Sequence, residues 1–111
     1  MKLSPTKENK SGYINASHVV MHLGNTRQHY IASQGPLANT APDFWQMVFE
    51  QSVNLIVMVT DFYESNQQKC FEYLPLTHEP PHNVLRCGDY EVNNCLSIVS
   101  INVFECVSLF I

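Results

Sequence analysis

The side chains best suited to covalent chemistry in this 111-residue sequence are four cysteines, Cys70, Cys87, Cys95 and Cys106. None of them forms a CxxC pair, the spacing typical of zinc ligands and of redox dithiols. The polar beginning of the chain, MKLSPTKENKSG, does not resemble a signal peptide. Reduced thiols and a cytoplasmic location are therefore expected, although an even number of cysteines leaves two disulfides possible.

Two histidine spacings could indicate a metal site. His78-Glu-Pro-Pro-His82 has the letters of the zinc motif HExxH, which requires both histidines on one helical face. Pro80 and Pro81 exclude that helix, so a solvated loop is the better interpretation. His18 and His22 are also four residues apart, but a β-rich stretch would separate their side chains. No metal and no cofactor are expected.

The composition further limits the classes of function that this chain can have. The net charge of −4 gives no basic excess, so a nucleic-acid partner is not expected. With 45% hydrophobic residues the chain has enough apolar surface for one small folded domain. The segment 95–111 is mostly apolar, but it lies at the lower limit for a membrane span and contains Asn102 and Glu105. Buried or mispaired β-structure is preferred there over a tail anchor, which stays a weak alternative.

The elements that would position any site begin with a helix. Thr40 is a predicted N-cap, with Asp43 three residues later as a variant capping box. Apolar residues at helical spacing, among them Phe44 and Trp45, predict an amphipathic helix that ends near residues 51–52. The apolar run 55–59 then predicts a strand covered on both faces. Strand, helix and strand form a βαβ unit with the usual right-handed crossover, which indicates an α/β layer.

Other patterns are more local. The sequence predicts strands at 13–21, 30–33 and 89–92, with a turn at 23–29, which contains Gly24-Asn25, between the first two. Residues 70–75 are strand-like, and residues 77–85 are predicted as an irregular loop. The predicted organisation is a polar lead-in at 1–12, extended or poorly ordered, a partial domain at 13–92 and a divergent apolar tail at 93–111.

One ordered series of short motifs is more specific than any of these patterns. The series reads YINAS (13–17), YIASQGPL (30–37), NT (39–40), DFW (43–45), EQ (50–51), IVMVT (56–60), KCFEYLP (69–75) and GDYEV (88–92). In order and spacing it resembles the N-terminal half of the protein tyrosine phosphatase domain. The resemblance covers about residues 10–92. It implies an α/β (α+β) fold, part of a strongly twisted mixed sheet flanked by helices.

The resemblance also implies a chemistry. The family hydrolyses phosphotyrosine in proteins through a cysteinyl-phosphate, with an aspartic acid protonating the leaving oxygen. Its thiolate lies in a loop HCxxGxxR, whose arginine, six residues after the cysteine, holds the phosphate as a fork. Here the residues six positions after the cysteines are Leu76, Asn93 and Ile101, and Cys106 is too near the end. The general-acid Trp-Pro-Asp loop is also absent, so no catalytic residue is predicted.

The remaining family positions are structural or supporting. Glu64 and Lys69 match the loop whose glutamate orients that arginine and whose lysine faces the acid loop, although an exposed polar hairpin tip is the simpler interpretation here. Two departures from the family pattern are Gly12, where Asp is usual, and Leu74, where Trp is usual. The resemblance assigns the scaffold motifs to Tyr13, Asn15, Gln34, Gly35, Pro36, Phe44, Trp45 and Tyr73.

These observations predict a truncated phosphatase domain that is inactive alone. The alternatives are a non-catalytic interaction module that binds partners or competes with an intact phosphatase, and a piece of an intact enzyme. Phosphotyrosine proteins are the family's partners. Because removal of part of a mixed sheet would leave open strand edges, a poorly folded or self-associating chain is also predicted.

Overall fold

The computed structural model describes residues 1–77, 79–94 and 108–110. Within these ranges the chain is mixed, with one helix and several antiparallel strand pairs, which agrees with the predicted α+β class. The elements are β1 (Ala16–Leu23), β2 (Thr26–Ser33), α1 (Ala41–Glu50), β3 (Ile56–Met58), β4 (Tyr63–Glu64), β5 (Gln67–Gln68), β6 (Val84–Cys87), β7 (Tyr90–Asn93) and β8 (Ser108–Phe110).

Strands β1 and β2 form the longest hairpin among the described residues. They pair antiparallel from Ala16 opposite Ser33 to Leu23 opposite Thr26. The turn that connects them consists of Gly24-Asn25 alone and is shorter than the predicted 23–29. Gly24 has a φ of +61°, a conformation that glycine adopts without steric cost. Because this turn contains only two residues, pairing continues to Thr26, and β2 begins four residues earlier than predicted.

The main sheet has the strand order β1-β2-β8-β3. Strand β8 is antiparallel to both β2 and β3, so those two strands run parallel to each other with β8 between them. Helix α1 connects β2 to β3, as the predicted βαβ unit requires. The predicted strand at 55–59 is observed as Ile56–Met58, and only Met58 of these three residues is buried.

Part of the predicted tail lies in this sheet, as the three residues of β8. The preferred β-structure at 95–111 and its membrane-anchor alternative otherwise fall on positions 95–107 and 111, outside the described residues. Among the described residues, no helix is long and apolar enough to cross a membrane.

Helix α1 begins after Thr40, as predicted, but the predicted capping box does not form. Thr40 has φ −109° and ψ −1°, whereas a capping residue requires an extended backbone to direct its side chain at the first turn. Its Oγ1 instead accepts a 2.9 Å hydrogen bond from the Leu37 N–H in the preceding turn. The helix ends at Glu50, where the Gln51 N–H donates to the Met47 carbonyl.

The core forms where α1 packs over the sheet. Phe44 and Met47 on the helix have no exposed surface, and Ile31 and Met58 contribute from β2 and β3. Each such side chain is worth about 1.5–3 kcal/mol when it is removed from water. Tyr73, also fully buried, closes the core from the segment after β5.

The lead-in at 1–12 packs on this core through its first residues. Leu3 is 4% exposed, and its N–H donates a 2.7 Å hydrogen bond to the Gly12 carbonyl. The N-terminal amine donates to the Ala16 carbonyl at 2.7 Å, and the Gln46 side chain donates to the Ser4 carbonyl at 2.8 Å. The polar composition of residues 1–12 gave no indication of this packing, because it depends on only two apolar side chains, Met1 and Leu3.

Two expectations for the second half of the chain are wrong. Residues 70–75 form no strand, because the Phe71 N–H bonds to the Pro36 carbonyl rather than to a neighbouring strand. The predicted loop at 77–85 contains the start of β6, which pairs with β7 from Val84 opposite Asn93 to Cys87 opposite Tyr90.

Candidate functional site

The antiparallel register of β1 and β2 places Asn15 beside Gln34, just beyond the paired ends of the two strands. The Asn15 Nδ2 donates a 2.8 Å hydrogen bond to the Gln34 Oε1, and the Gln34 N–H donates to the Asn15 carbonyl at 3.3 Å. The Ser33 hydroxyl donates to both the Asn15 and Gln34 carbonyls. The motifs YINAS and YIASQGPL are therefore joined at this point, and Tyr13 lies beside it, 64% exposed.

A second hydrogen-bonded contact joins Pro36 to the segment that contains Cys70. Gly35 and Pro36 are buried, and the Pro36 carbonyl accepts a 2.9 Å hydrogen bond from the Phe71 N–H. The Cys70 Sγ lies 3.8 Å from the same carbonyl and 3.4 Å from that of Phe71, with 1% of the residue exposed. This cysteine is therefore enclosed by acceptor groups, an environment that does not stabilise a thiolate.

Aromatic side chains complete the junction between the helix and this segment. The rings of Phe44 and Tyr73 lie 4.7 Å apart between centroids, and those of Phe44 and Trp45 meet edge-on at 5.6 Å. The Trp45 Nε1–H donates a 2.8 Å hydrogen bond to the Tyr73 carbonyl. Leu74, where the family usually has Trp, is half-buried and packs against the same core.

Glu64 and Lys69 lie on the small hairpin of β4 and β5. Glu64 pairs with Gln67, and the turn between them contains Ser65 and Asn66 with φ values of 51° and 61°. Two positive φ values are typical of a type I′ hairpin turn. Both the Glu64 and the Lys69 side chains are exposed, so their supporting roles stay predictions.

Of the two cysteines that the structure describes, Cys87 lies next to an arginine, and that arginine is not placed to serve its thiolate. Arg86 precedes Cys87 on β6, but successive strand residues face opposite sides, and Arg86 is exposed while Cys87 is buried. The Arg86 guanidinium instead pairs with the Glu91 carboxylate at 3.2 Å. Burial raises the pKa of the Cys87 thiol, the opposite of what a nucleophile requires. Arg27 is exposed at the start of β2.

Neither histidine spacing forms a metal site in the part of the chain that the structure describes. No group of three or more histidine, cysteine, aspartate or glutamate residues converges there. His18 and His22 are exposed on β1, where four residues correspond to about 13 Å along a strand. His78 lies outside the described residues, and Glu79 and His82 belong to a turn.

A groove that the sequence analysis missed lies between the end of α1 and the β6–β7 hairpin. It encloses about 550 Å³ and is lined by Trp45, Val48, Phe49, Tyr90 and Val92, among others. The Phe49 side chain, on a residue 75% exposed, lies 6.2 Å from the Tyr90 ring. The signal that could have indicated it is Gly88-Asp89, a two-residue turn pair that predicts a hairpin and hence β6.

Comparison with known proteins agrees with this geometry. A family model described as protein-tyrosine phosphatase matches residues 1–105. Mouse tyrosine-protein phosphatase non-receptor type 14 is 55% identical over 75 residues, and rat non-receptor type 21 is 47% identical over 92 residues. A tyrosine phosphatase-like protein J1 of Microplitis demolitor bracovirus is 48% identical over 75 residues.

These matches cover 68%, 83% and 68% of this chain respectively. They cover only 6%, 8% and 24% of the relatives, so the chain corresponds to a small part of each of these proteins. The range that the family model matches, 1–105, contains the junction of Asn15, Gln34, Pro36 and the aromatic cluster. The chain belongs to the protein-tyrosine phosphatase family.

Proposed function

We propose that these 111 residues form a scaffold portion of a phosphatase domain and do not hydrolyse phosphotyrosine by themselves. The observation that carries this proposal is the placement of Arg86 and Cys87 on opposite faces of β6. Arg27 and Arg86 are the only arginines, and neither lies six residues after a cysteine. The family reaction requires a thiolate and a guanidinium to hold the same phosphoryl group.

The described thiols support the same conclusion. Cys70 is enclosed by carbonyl oxygens, and burial raises the pKa of the Cys87 thiol. A cysteine that attacks phosphorus requires the opposite environment, with positive charge or N–H groups that favour its thiolate. Among the described residues, neither Cys70 nor Cys87 takes part in a disulfide, which favours the reducing environment of the cytoplasm as the place of action.

In this proposal the chain retains the part of the domain that supports catalysis without performing it. Asn15, Gln34 and Pro36 connect three family motifs through hydrogen bonds. Glu64 and Lys69 are presented on an exposed hairpin, where they could meet a phosphate-binding loop supplied by other residues. The phosphotyrosine proteins on which the family acts would then bind only to a domain that also contains such a loop.

An aryl phosphate assay tests the absence of catalysis. We expect no turnover above that of a mock purification from cells that lack the chain. Activity that co-purifies with the chain and is lost when Cys70 or Cys87 is replaced by serine would contradict the proposal. Activity that survives serine at all four cysteines would come from a contaminant, or from a chemistry without a thiol. To distinguish a contaminant from a thiol-independent activity of the chain itself, the chain is separated on a second column and the activity is measured across its peak.

A second candidate function is a non-catalytic interaction module that competes with an intact phosphatase. The exposed groove beside Phe49 favours it, because apolar side chains such as Val48 and Val92 line an open surface there. We expect saturable inhibition of an intact family phosphatase when the chain is added, and its loss in Phe49→Glu. The matched control is Leu76→Glu, a change at another exposed apolar residue. Equal inhibition by both variants, or none by the parent chain, would remove this candidate.

A further inference from the structure

Strand β1 forms one edge of the main sheet, and most of that edge is uncovered. The sheet order places β2 on one side of β1 and no described strand on the other. The lead-in covers only the beginning of the edge, where the Met1 amine donates to the Ala16 carbonyl. From Ser17 to Leu23 the described residues provide no cover, which leaves a seven-residue edge with main-chain groups available for pairing.

The features that usually prevent edge pairing are absent from β1. Natural edge strands are protected by short length, proline or charged side chains, lysine above all. Strand β1 is eight residues long and contains no proline, lysine, arginine, aspartate or glutamate. Val20, Met21 and Leu23 are 42%, 47% and 57% exposed. Strand β3, at the other edge of this sheet, has only three residues.

We propose that β1 pairs antiparallel with β1 of a second copy, around a two-fold axis that passes midway between the Val20 residues of the two copies. A symmetric antiparallel pair places residue 20−n opposite residue 20+n, and a centre at Val20 uses the whole uncovered stretch. Val20 then faces Val20 of the second copy, and Ser17 faces Leu23. A centre at any other residue would leave part of the edge unpaired.

A second copy is a suitable occupant because the strand complements itself. Identical uncharged strands meet without repulsion, and the β-branched Val19 and Val20 stand near the centre of the pair, where such residues pack well. A contact of this kind joins one strand to one strand and therefore buries little surface. Small interfaces are typical of weak complexes, so we expect a reversible dimer that forms in the micromolar range rather than a permanent one.

Analytical ultracentrifugation of the whole chain over a range of micromolar concentrations tests the contact. We expect a concentration-dependent monomer–dimer equilibrium for the parent chain and a monomer at every concentration for Val20→Lys, because lysine on an edge strand opposes pairing. The control Leu76→Lys adds the same charge at an exposed apolar residue elsewhere and should dimerise like the parent chain. A parent chain that is monomeric throughout, or association that Val20→Lys does not change, overturns the proposal.

Cross-linking tests the register. In a background with serine at Cys95 and Cys106, a Val20→Cys variant should form an intermolecular disulfide, because opposed strand residues have Cα atoms about 4.5–5.5 Å apart, within the range of a disulfide. Leu23→Cys should not, because Ser17 of the second copy faces it. Efficient cross-linking through residue 23 and not through residue 20 excludes the two-fold at Val20. The contact does not require the chain to be inactive, so a phosphatase activity would contradict the proposed function and leave this result unchanged.

Discussion

The indole Nε1–H of Trp45 donates a 2.8 Å hydrogen bond to the main-chain carbonyl of Tyr73. This contact connects the middle of α1 to a segment 28 residues later that has no regular secondary structure. The Tyr73 ring is fully buried against Phe44, so the same segment also closes the core. This hydrogen bond and this aromatic cluster therefore attach the long irregular stretch after β5 to α1.

Replacement of Trp45 by phenylalanine should destabilise the fold. Phenylalanine retains an aromatic ring near Phe44 but cannot donate to the Tyr73 carbonyl, and a lost hydrogen bond costs about 0.5–1.5 kcal/mol. We expect a lower free energy of unfolding in urea by at least that amount. The control Leu76→Ala, at a residue 62% exposed, should stay within about 0.5 kcal/mol of the parent. Equal unfolding midpoints for Trp45→Phe and the parent would show that the contact contributes nothing.

The conformation and close packing of Gly12 explain why a glycine stands where the family usually has an aspartate. Its φ is +65°, and a Cβ at this position would overlap the main-chain carbonyl of Leu3. The Leu3 N–H donates to the Gly12 carbonyl, so the lead-in can pack closely only against a residue without a side chain. The aspartate that the family usually has here would be incompatible with this packing.

A pair of glycine variants separates this close contact from backbone strain. Gly24 has a similar φ of +61° but open space around it, so Gly24→Ala should cost only the left-handed backbone, about 1–3 kcal/mol. Gly12→Ala adds the overlap with Leu3 and should be clearly more destabilising, or should release the lead-in. Hydrogen exchange at the Leu3 amide distinguishes these results, since it should accelerate in Gly12→Ala alone. Equal effects of the two variants on stability and exchange would contradict the close packing.

The hairpin and the helix could be predicted from the sequence because their signals are local. Gly24-Asn25 marks a two-residue turn, and the spacing of Phe44 and its neighbours marks a helix. The Thr40 capping box failed because its backbone conformation is set by the turn with Leu37, which residue types alone do not reveal. Local patterns also could not predict the bond from Phe71 to Pro36, because it joins residues 35 apart in the chain.

The same difference between local signals and long-range contacts applies to the candidate site. The resemblance to the family identified Asn15, Gln34 and Trp45 as scaffold residues, and the structure shows contacts for each of them. The groove beside Phe49 was missed because it depends on β6, whose residues Val84–Cys87 alternate only weakly between apolar and polar. A surface formed by two distant elements has no signature in either element alone.

Glu50 should make the stability depend on pH. Its carboxylate accepts hydrogen bonds from the Gln46 side chain at 2.7 Å and from the Ser4 N–H, and these bonds lower its pKa below the usual 4.5. A carboxyl with a lowered pKa in the folded state contributes stability above its unfolded pKa and loses it as the pH falls through the folded value. The difference in unfolding free energy between the parent and Glu50→Gln should therefore shrink as the pH falls below about 4.5. Because Glu50 is exposed, the effect should be small, and Glu8→Gln provides a comparison at another exposed carboxylate. A difference that stays constant or grows on acidification would contradict this assignment.

Strand β8 should protect the two strands beside it. Leu109 pairs with Ala32 of β2 and with Val57 of β3, so the main chain at 108–110 bridges two strands that would otherwise be edges. Proline cannot donate to a ladder and is excluded from strands with neighbours on both sides. Leu109→Pro should therefore accelerate hydrogen exchange in 31–33 and 56–58, whereas Leu109→Val, which keeps its N–H, should not. The outer part of the β1–β2 hairpin around Gly24 serves as an internal reference, since it does not contact β8 in this pairing. Unchanged exchange at 31–33 and 56–58 in the proline variant would show that β8 does not hold this sheet together, and would leave β2 and β3 as edges open to other strands.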